Sequence, residues 1–188
     1  MFEHSLDASG SVGCHQQPLS TIGDVTTDWN DPHRLPRFAV PHRYGVTITP
    51  DLPSATFTGD VVIDVEVIEH GHNTFVLNAI ELEIHSAEID NQPAEFHLDP
   101  SSERLIMSTD AALEVGQHQV TISFTGTIND KLRGFYRSSF TDDGGQEHVI
   151  GTTQMQSTDC GRAFPCWDEP DFKAVFGITL NIRPEDTA

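Results

Sequence analysis

Between Tyr44 and Ile182 apolar residues recur at every second position in several separate runs, and that period decides the fold class before any motif is read. Successive side chains of an extended backbone point to opposite faces, so a period of two marks a half-buried strand. The clearest case is Val61, Ile63, Val65 and Val67, with Asp64 and Glu66 opposite among Val62 and Ile68. Tyr44, Val46 and Ile48 alternate in the same way with Gly45, Thr47 and Thr49. Val120, Ile122, Phe124 and Ile128 share a face against Thr121, Ser123, Thr125 and Thr127, and Phe176, Ile178, Leu180 and Ile182 make a last strand.

The punctuation between these runs is that of turns. Pro36 and Pro41 fix an extended lead-in, and Pro50-Asp51-Leu52-Pro53 breaks the first strand. A glycine turn at Gly71 precedes a short strand, Thr74 to Leu77. From Glu81 to Ile89 the inward set begins as Leu82 and Ile84 and slips to Ala87 and Ile89, as a β-bulge would require. Asp90-Asn91-Gln92-Pro93 is a turn by composition. Ala94–Leu98 and Arg104–Met107 are short flanking strands, and Asp110–Gly116 is a loop with room for one helical turn. Gly134-Phe135-Tyr136-Arg137 opens a hairpin whose turn is Asp142-Asp143-Gly144-Gly145. Turn signals at intervals of about 8–12 residues, without a long helical period, predict an all-β antiparallel, curved β-sandwich.

Charge narrows the partners. The 188 residues carry 29 acidic against 10 basic side chains, a net charge of -19, and Lys131 and Lys173 are the only lysines. Such a surface repels nucleic-acid phosphates and anionic lipid, so neither nucleic acid nor membrane is an expected partner. No apolar run reaches the roughly 18 residues of a membrane helix. The N-terminus has neither a basic nor an apolar segment of the secretory kind. Residues 1–33, rich in Ser, Thr, Asp, Gly and His, are expected to be a flexible extension with Trp29 pinning its end, and residues 34–188 the β domain. His4, His15 and His33 are too scattered for a metal site. Cys14, Cys160 and Cys166 show no CxxC spacing. A Cys160–Cys166 bridge around a turn is geometrically conceivable, but the odd count and the absent signal favour reduced, buried thiols and a cytoplasmic location.

One stretch escapes both periods: GTTQMQSTDCGRAFPCWDEPDFKAVF, from Gly151 to Phe176. It reads as a compact loop-like element, the kind that carries function on a rigid scaffold. The chain contains no HExxH, GxSxG, P-loop or GxGxxG. Cys166, between Pro165 and Trp167, reads as a packed thiol, and Asp159 as the cap of the turn after it. Asp168 and Glu169 are expected to pair with Arg162 or Lys173 rather than to act as acid and base. His70 and His72 flank a glycine with no third ligand in view, which reads as a solvated turn. Gln154 and Gln156, two apart on an extended backbone, would present two amides to one side as a small donor-and-acceptor platform. The plainer alternative is a pair of surface polar residues.

Several segments, in order and in register from about residue 35 to the C-terminus, resemble the N-terminal domain of the aminopeptidase N family of zinc metallopeptidases. The family's LP-x-x-x-x-P-x-x-Y lead-in is matched by Leu35, Pro36, Pro41 and Tyr44. Its F-x-G followed by V-x-I-x-V is matched by Phe57, Gly59, Val61, Ile63 and Val65, and its L-x-G-F-Y-R-S by Leu132, Gly134, Phe135, Tyr136, Arg137 and Ser138. The signature T-Q-F-E-x-T-D-A-R-x-A-F-P-C-F-D-E-P-x-F-K-A-x-F is followed from Thr153 through Phe176, with Cys160-Gly161 for Ala-Arg and Trp167 for Phe.

The resemblance implies a saddle-like β domain packed against a thermolysin-like catalytic domain that carries GAMEN and HExxH. Neither motif is in this sequence, so residues 34–188 are expected to be a C-terminally incomplete N-terminal domain without the catalytic domain. It further implies a complete enzyme that removes N-terminal amino acids from peptides, with a zinc-bound water activated by the HExxH glutamate attacking the first peptide carbonyl. The zinc ligands would lie outside this chain, which is expected to hold no cofactor of its own and no catalytic residue. Its partners would be peptide N-termini and the catalytic domain of the same polypeptide. The family's Gln that lines the pocket for the first side chain corresponds to Gln154, and the Glu that holds the free α-amine corresponds to Gln156. An amide there can accept from an ammonium but brings no charge. Members resembling the epoxide-hydrolysing branch also carry Gln at that position. The competing expectation is a free-standing β-sandwich binding module without peptidase activity.

Overall fold

A computed structural model describes residue 31 and residues 33–188. The expectations for residues 1–30, which include His4, Cys14, His15 and Trp29, lie outside the described residues. His33 is described, and it is exposed.

In chain order the strands are β1 (Ala39–Asp51), β2 (Thr56–Val67), β3 (Thr74–Asn78), β4 (Leu82–Ile89), β5 (Gln92–Pro93) and β6 (Glu95–Asp99). Then come β7 (Arg104–Ser108), β8 (Gly116–Thr127), β9 (Gly134–Thr141), β10 (Glu147–Gln154) and β11 (Val175–Leu180). They form a six-stranded sheet in the order β11-β1-β2-β8-β4-β5, a three-stranded sheet β3-β7-β6 and the hairpin β9-β10. The period-two residues do what the alternation requires. Val61, Ile63, Val65, Val67, Val120, Ile122, Phe124, Tyr44 and Val46 are all buried. With Phe75, Leu77, Leu105 and Met107 of the smaller sheet they make one core, the packed layer of an all-β sandwich.

The expected irregularities are present. The slip in β4 falls between Ile84 and Ser86 against β8. A second register shift falls between Pro41 and Arg43, where proline has no N–H to give the ladder. Asp90 and Asn91 both have positive φ, 53° and 61°, the backbone of a tight primed turn between β4 and β5. Two glycine–phenylalanine pairs face each other across β2 and β8, with Gly59 opposite Phe124 and Phe57 opposite Gly126.

Four expectations need correction. The main sheet is not wholly antiparallel, because β11 runs parallel to β1, from Arg43 opposite Val175 to Ile48 opposite Leu180. A parallel neighbour needs a crossover rather than a hairpin, and here everything from β2 to β10 intervenes. Nor is the apolar face of β11 buried, since Phe176, Ile178 and Leu180 are 50%, 56% and 49% exposed. They sit level with Tyr44, Val46 and Ile48, so the core face of the sheet continues onto β11 past the layer that covers it. The loop from Asp110 to Val115 contains no helical turn. His72 also departs from a solvated turn: its ring stacks on Phe38 at 4.0 Å, while His70 is exposed.

Candidate functional site

The irregular stretch that follows β10 is a corner tied down at both ends. A 3-10 turn, Cys160–Arg162, is followed by an extended run that pairs briefly with the end of β3. Asn78 donates its N–H to the Cys166 carbonyl (2.7 Å) and accepts the Cys166 N–H (3.1 Å). Its side-chain Oδ1 accepts the Asp168 N–H (3.1 Å), and Ile80 donates to the Gly161 carbonyl (2.8 Å). The Trp167 N–H reaches the hydroxyl oxygen of buried Tyr44 (3.1 Å). Burial pushes that phenol far above its ordinary value, so it remains protonated. Phe164, Cys166 and Trp167 join the core, with Trp167 edge-on to Phe75. Cys166 is thus a packed thiol, as its neighbours suggest.

The acidic side chains of the corner take partners other than those predicted. Asp168 accepts the N–H groups of Cys160 (3.0 Å) and Gly161 (3.4 Å) on one oxygen. Burial nevertheless raises its carboxyl above the usual range, because the desolvation of a charge there outweighs those two bonds. Glu169 reaches back to the lead-in, accepting from the Leu35 N–H and from the Arg37 guanidinium. Arg37 donates with its other arm to Asp171 at 2.7 Å and lies 4.6 Å over the Phe172 ring. Arg162 instead bonds Asp159 (2.8 Å) and Glu81 (3.0 Å). Asp159 therefore does not cap the turn with its side chain; its carboxylate is taken by Arg162. A lysine or arginine close in sequence is a poor guide when the chain doubles back across more than 130 residues.

That reversal has a measurable weight. The Glu169 side chain is only 10% exposed, and removing it strands the Leu35 N–H and one arm of Arg37. We expect Glu169→Ala to lower unfolding free energy by about 2–3 kcal/mol, read from urea titration. Asp171→Ala, at a side chain 55% exposed, should cost less than about 1 kcal/mol. Equal effects of the two substitutions would overturn the assignment of Glu169 as the tie.

Two exposed amides stand just before this corner. Gln154 ends β10 and Gln156 lies in the turn just after it, and both are exposed. The one hydrogen bond between them is a long contact of 3.5 Å from Gln154 Nε2 to the Gln156 carbonyl. Beside them opens a groove of about 920 Å³. Gln156 lines it together with Met155, Phe164, Phe172, Phe176 and Ile178, and Gln154 does not. The groove, and the part β11 plays in its wall, are not legible in the sequence. The signal there is the unbroken alternation of Phe176, Ile178 and Leu180, which fixes a face but not what covers it. No nucleophile–base pair is assembled in this stretch, and among the described residues no helix is long and apolar enough to cross a membrane.

Comparison with known proteins gives a consistent result. Residues 40–188 match the Peptidase M1 N-terminal domain. Aminopeptidase M1-A of Oryza sativa subsp. japonica is 43% identical over 164 residues, which cover 82% of this chain and 18% of the rice protein. Aminopeptidase M1 of Arabidopsis thaliana is 37% identical over 158 residues (79% and 18%), and the alanine/arginine aminopeptidase of Saccharomyces cerevisiae 36% over 151 (78% and 18%). The chain therefore spans about a fifth of the length of the curated relatives it matches.

Proposed function

The chain belongs to the peptidase M1 family, whose N-terminal domain it carries, and from that premise we propose that it is the substrate-N-terminus-recognising part of a zinc metalloaminopeptidase. The observation that carries this reading is a contrast within one stretch: Asp159, Arg162, Asp168 and Glu169 of the corner are tied by hydrogen bonds, while the exposed amides of Gln154 and Gln156 share a single 3.5 Å contact and Gln156 lines an apolar groove. In this reading Gln154 meets the first side chain of a peptide and Gln156 accepts from its α-ammonium. The apolar groove and the exposed face of β11 are covered by the catalytic part of the same, longer polypeptide. No HExxH occurs in this sequence, so no residue of the chain is assigned to the catalytic zinc. When bound by the rest of the enzyme, that metal would supply an activated water. The chain's own contribution is to bind and orient the peptide terminus and to exclude water from one wall of the cleft. We place the complete enzyme in the cytoplasm, on the two free thiols Cys160 and Cys166.

Hydrolysis of aminoacyl amides tests this directly. The 188-residue chain should give no turnover with or without added zinc, and the complete polypeptide should turn over. In the complete enzyme Gln154→Ala should alter the preference among first side chains without loss of thermal stability. Turnover by the 188-residue chain would overturn the assignment. A complete polypeptide that binds peptide termini without cleaving them would establish the binding-module alternative instead.

A further inference from the structure

Cys160, Cys166 and Asp168 play no part in holding a peptide, yet they converge. The two Sγ atoms and a carboxylate oxygen all lie within 4.8 Å of one another. All three residues line the same groove, with Cys166 buried and Cys160 and Asp168 half-buried. Each is held from outside the cluster or by its backbone. Cys160 opens the 3-10 turn, Cys166 is fixed by its two backbone bonds to Asn78, and Asp168 is oriented by the N–H groups of Cys160 and Gly161. Such hydrogen bonds to a carboxylate are how proteins aim a metal ligand.

The donor set selects the ligand. Two thiolates with one carboxylate suit zinc and its close analogues and disfavour magnesium or calcium. Tetrahedral coordination with bonds of roughly 2.0–2.3 Å places donors about 3.3–3.8 Å apart, so the cluster closes on a cation by moving about 1 Å, within reach of side-chain rotation. Three protein ligands leave a fourth position, which would be taken by water.

We propose that Cys160, Cys166 and Asp168 form a binding site for a single zinc-like divalent cation. The inference does not depend on the peptidase reading. Binding sends two thiol protons to solvent, so affinity rises with pH. In the metal-free chain the adjacent Cys160 thiol and complete burial hold the Cys166 thiol protonated, which leaves it inert. The six-residue spacing is not a CxxC, and the third donor becomes visible only when the corner folds.

Cobalt(II) is the probe. The reduced 188-residue chain, titrated without oxygen, should bind one equivalent and develop thiolate-to-cobalt charge-transfer absorption together with the visible bands of four-coordinate cobalt. Zinc should bleach both. Cys160→Ala, a residue the family pattern itself places there, should fold and lose about half of the charge-transfer intensity per bound cobalt. Its affinity should fall by at least the roughly 10–100-fold that loss of a mere outer-shell partner costs. Asp168→Asn provides a second variant and should weaken binding while keeping the thiolate band. A reduced chain that takes up no cobalt overturns the proposal, as does binding without charge transfer that survives Cys160→Ala.

Discussion

Gly126→Val should destabilise the domain by about 3 kcal/mol and lower its melting temperature by roughly 6–12 °C. A Cβ at Gly126 would lie 2.4 Å from Phe57 Cζ, 2.6 Å from its Cε1 and 2.8 Å from Leu82 Cδ2. The Phe57 ring cannot swing away cheaply, because it is 1% exposed and packs edge-on against Phe124 and Phe135. Gly59 stands in the mirror situation, its added Cβ 2.5 Å from Phe124 Cζ and 2.9 Å from Ile48 Cδ1. Each phenylalanine therefore lies across the glycine that faces it on the neighbouring strand, and each glycine is required by the ring over it. Gly59→Val should cost a similar amount. Gly45 is the control: its nearest neighbour would be the Val62 carbonyl at 3.9 Å, so Gly45→Ala should change stability by less than about 0.5 kcal/mol. Urea titration with an unchanged slope would isolate the native-state effect. A cost below about 1 kcal/mol for both valine variants would mean that the rings are not held as described.

The period of two made the strands legible, and the physics of a half-buried sheet explains why. Val61, Ile63, Val65 and Val67 allow one face only, and a one-residue slip would put all four in water. The same rule located the bulge in β4, since Leu82 and Ala87 can share a face only if one residue is inserted between them. Pairing partners were less legible, because alternation is local and a ladder is not. Nothing in FGITLN announces that β11 lies parallel to β1, and so the exposed face of β11 went unanticipated. The corner shows the same limit in its charges. Glu169 and Arg37 are separated by 132 residues, and no pattern within the Asp168–Asp171 turn points to the lead-in. Asn78 was missed for another reason: its backbone and side chain anchor the corner through polar groups that any turn-forming asparagine also carries. The roles proposed for Gln154 and Gln156 rest on family likeness, because their amides alone are indistinguishable from ordinary surface.

On the proposed reading, Gln156→Glu in the complete enzyme should raise kcat/KM about 5–10-fold for peptides with a free amino terminus. Gln156 can offer its carbonyl oxygen to an ammonium, but a carboxylate adds an opposite formal charge and with it a direct Coulomb attraction. In a closed, water-poor cleft that difference amounts to roughly 1–1.4 kcal/mol; with Gln156 as exposed as it is in this chain it would shrink toward the surface-pair limit. The size of the gain thus reports whether the catalytic part covers the rim. Because the ammonium is held alike in the bound substrate and in the transition state, the change should appear in KM and leave kcat nearly constant. The sign with pH follows from the two charges. The advantage should be full between the ordinary carboxylate range near pH 4 and the peptide amine's range near pH 8, and should vanish on either side. A substrate whose amino group is replaced by hydrogen should gain nothing. If that substrate gains as much as the amine, or if kcat rises with KM fixed, residue 156 acts on something other than the peptide's terminal charge.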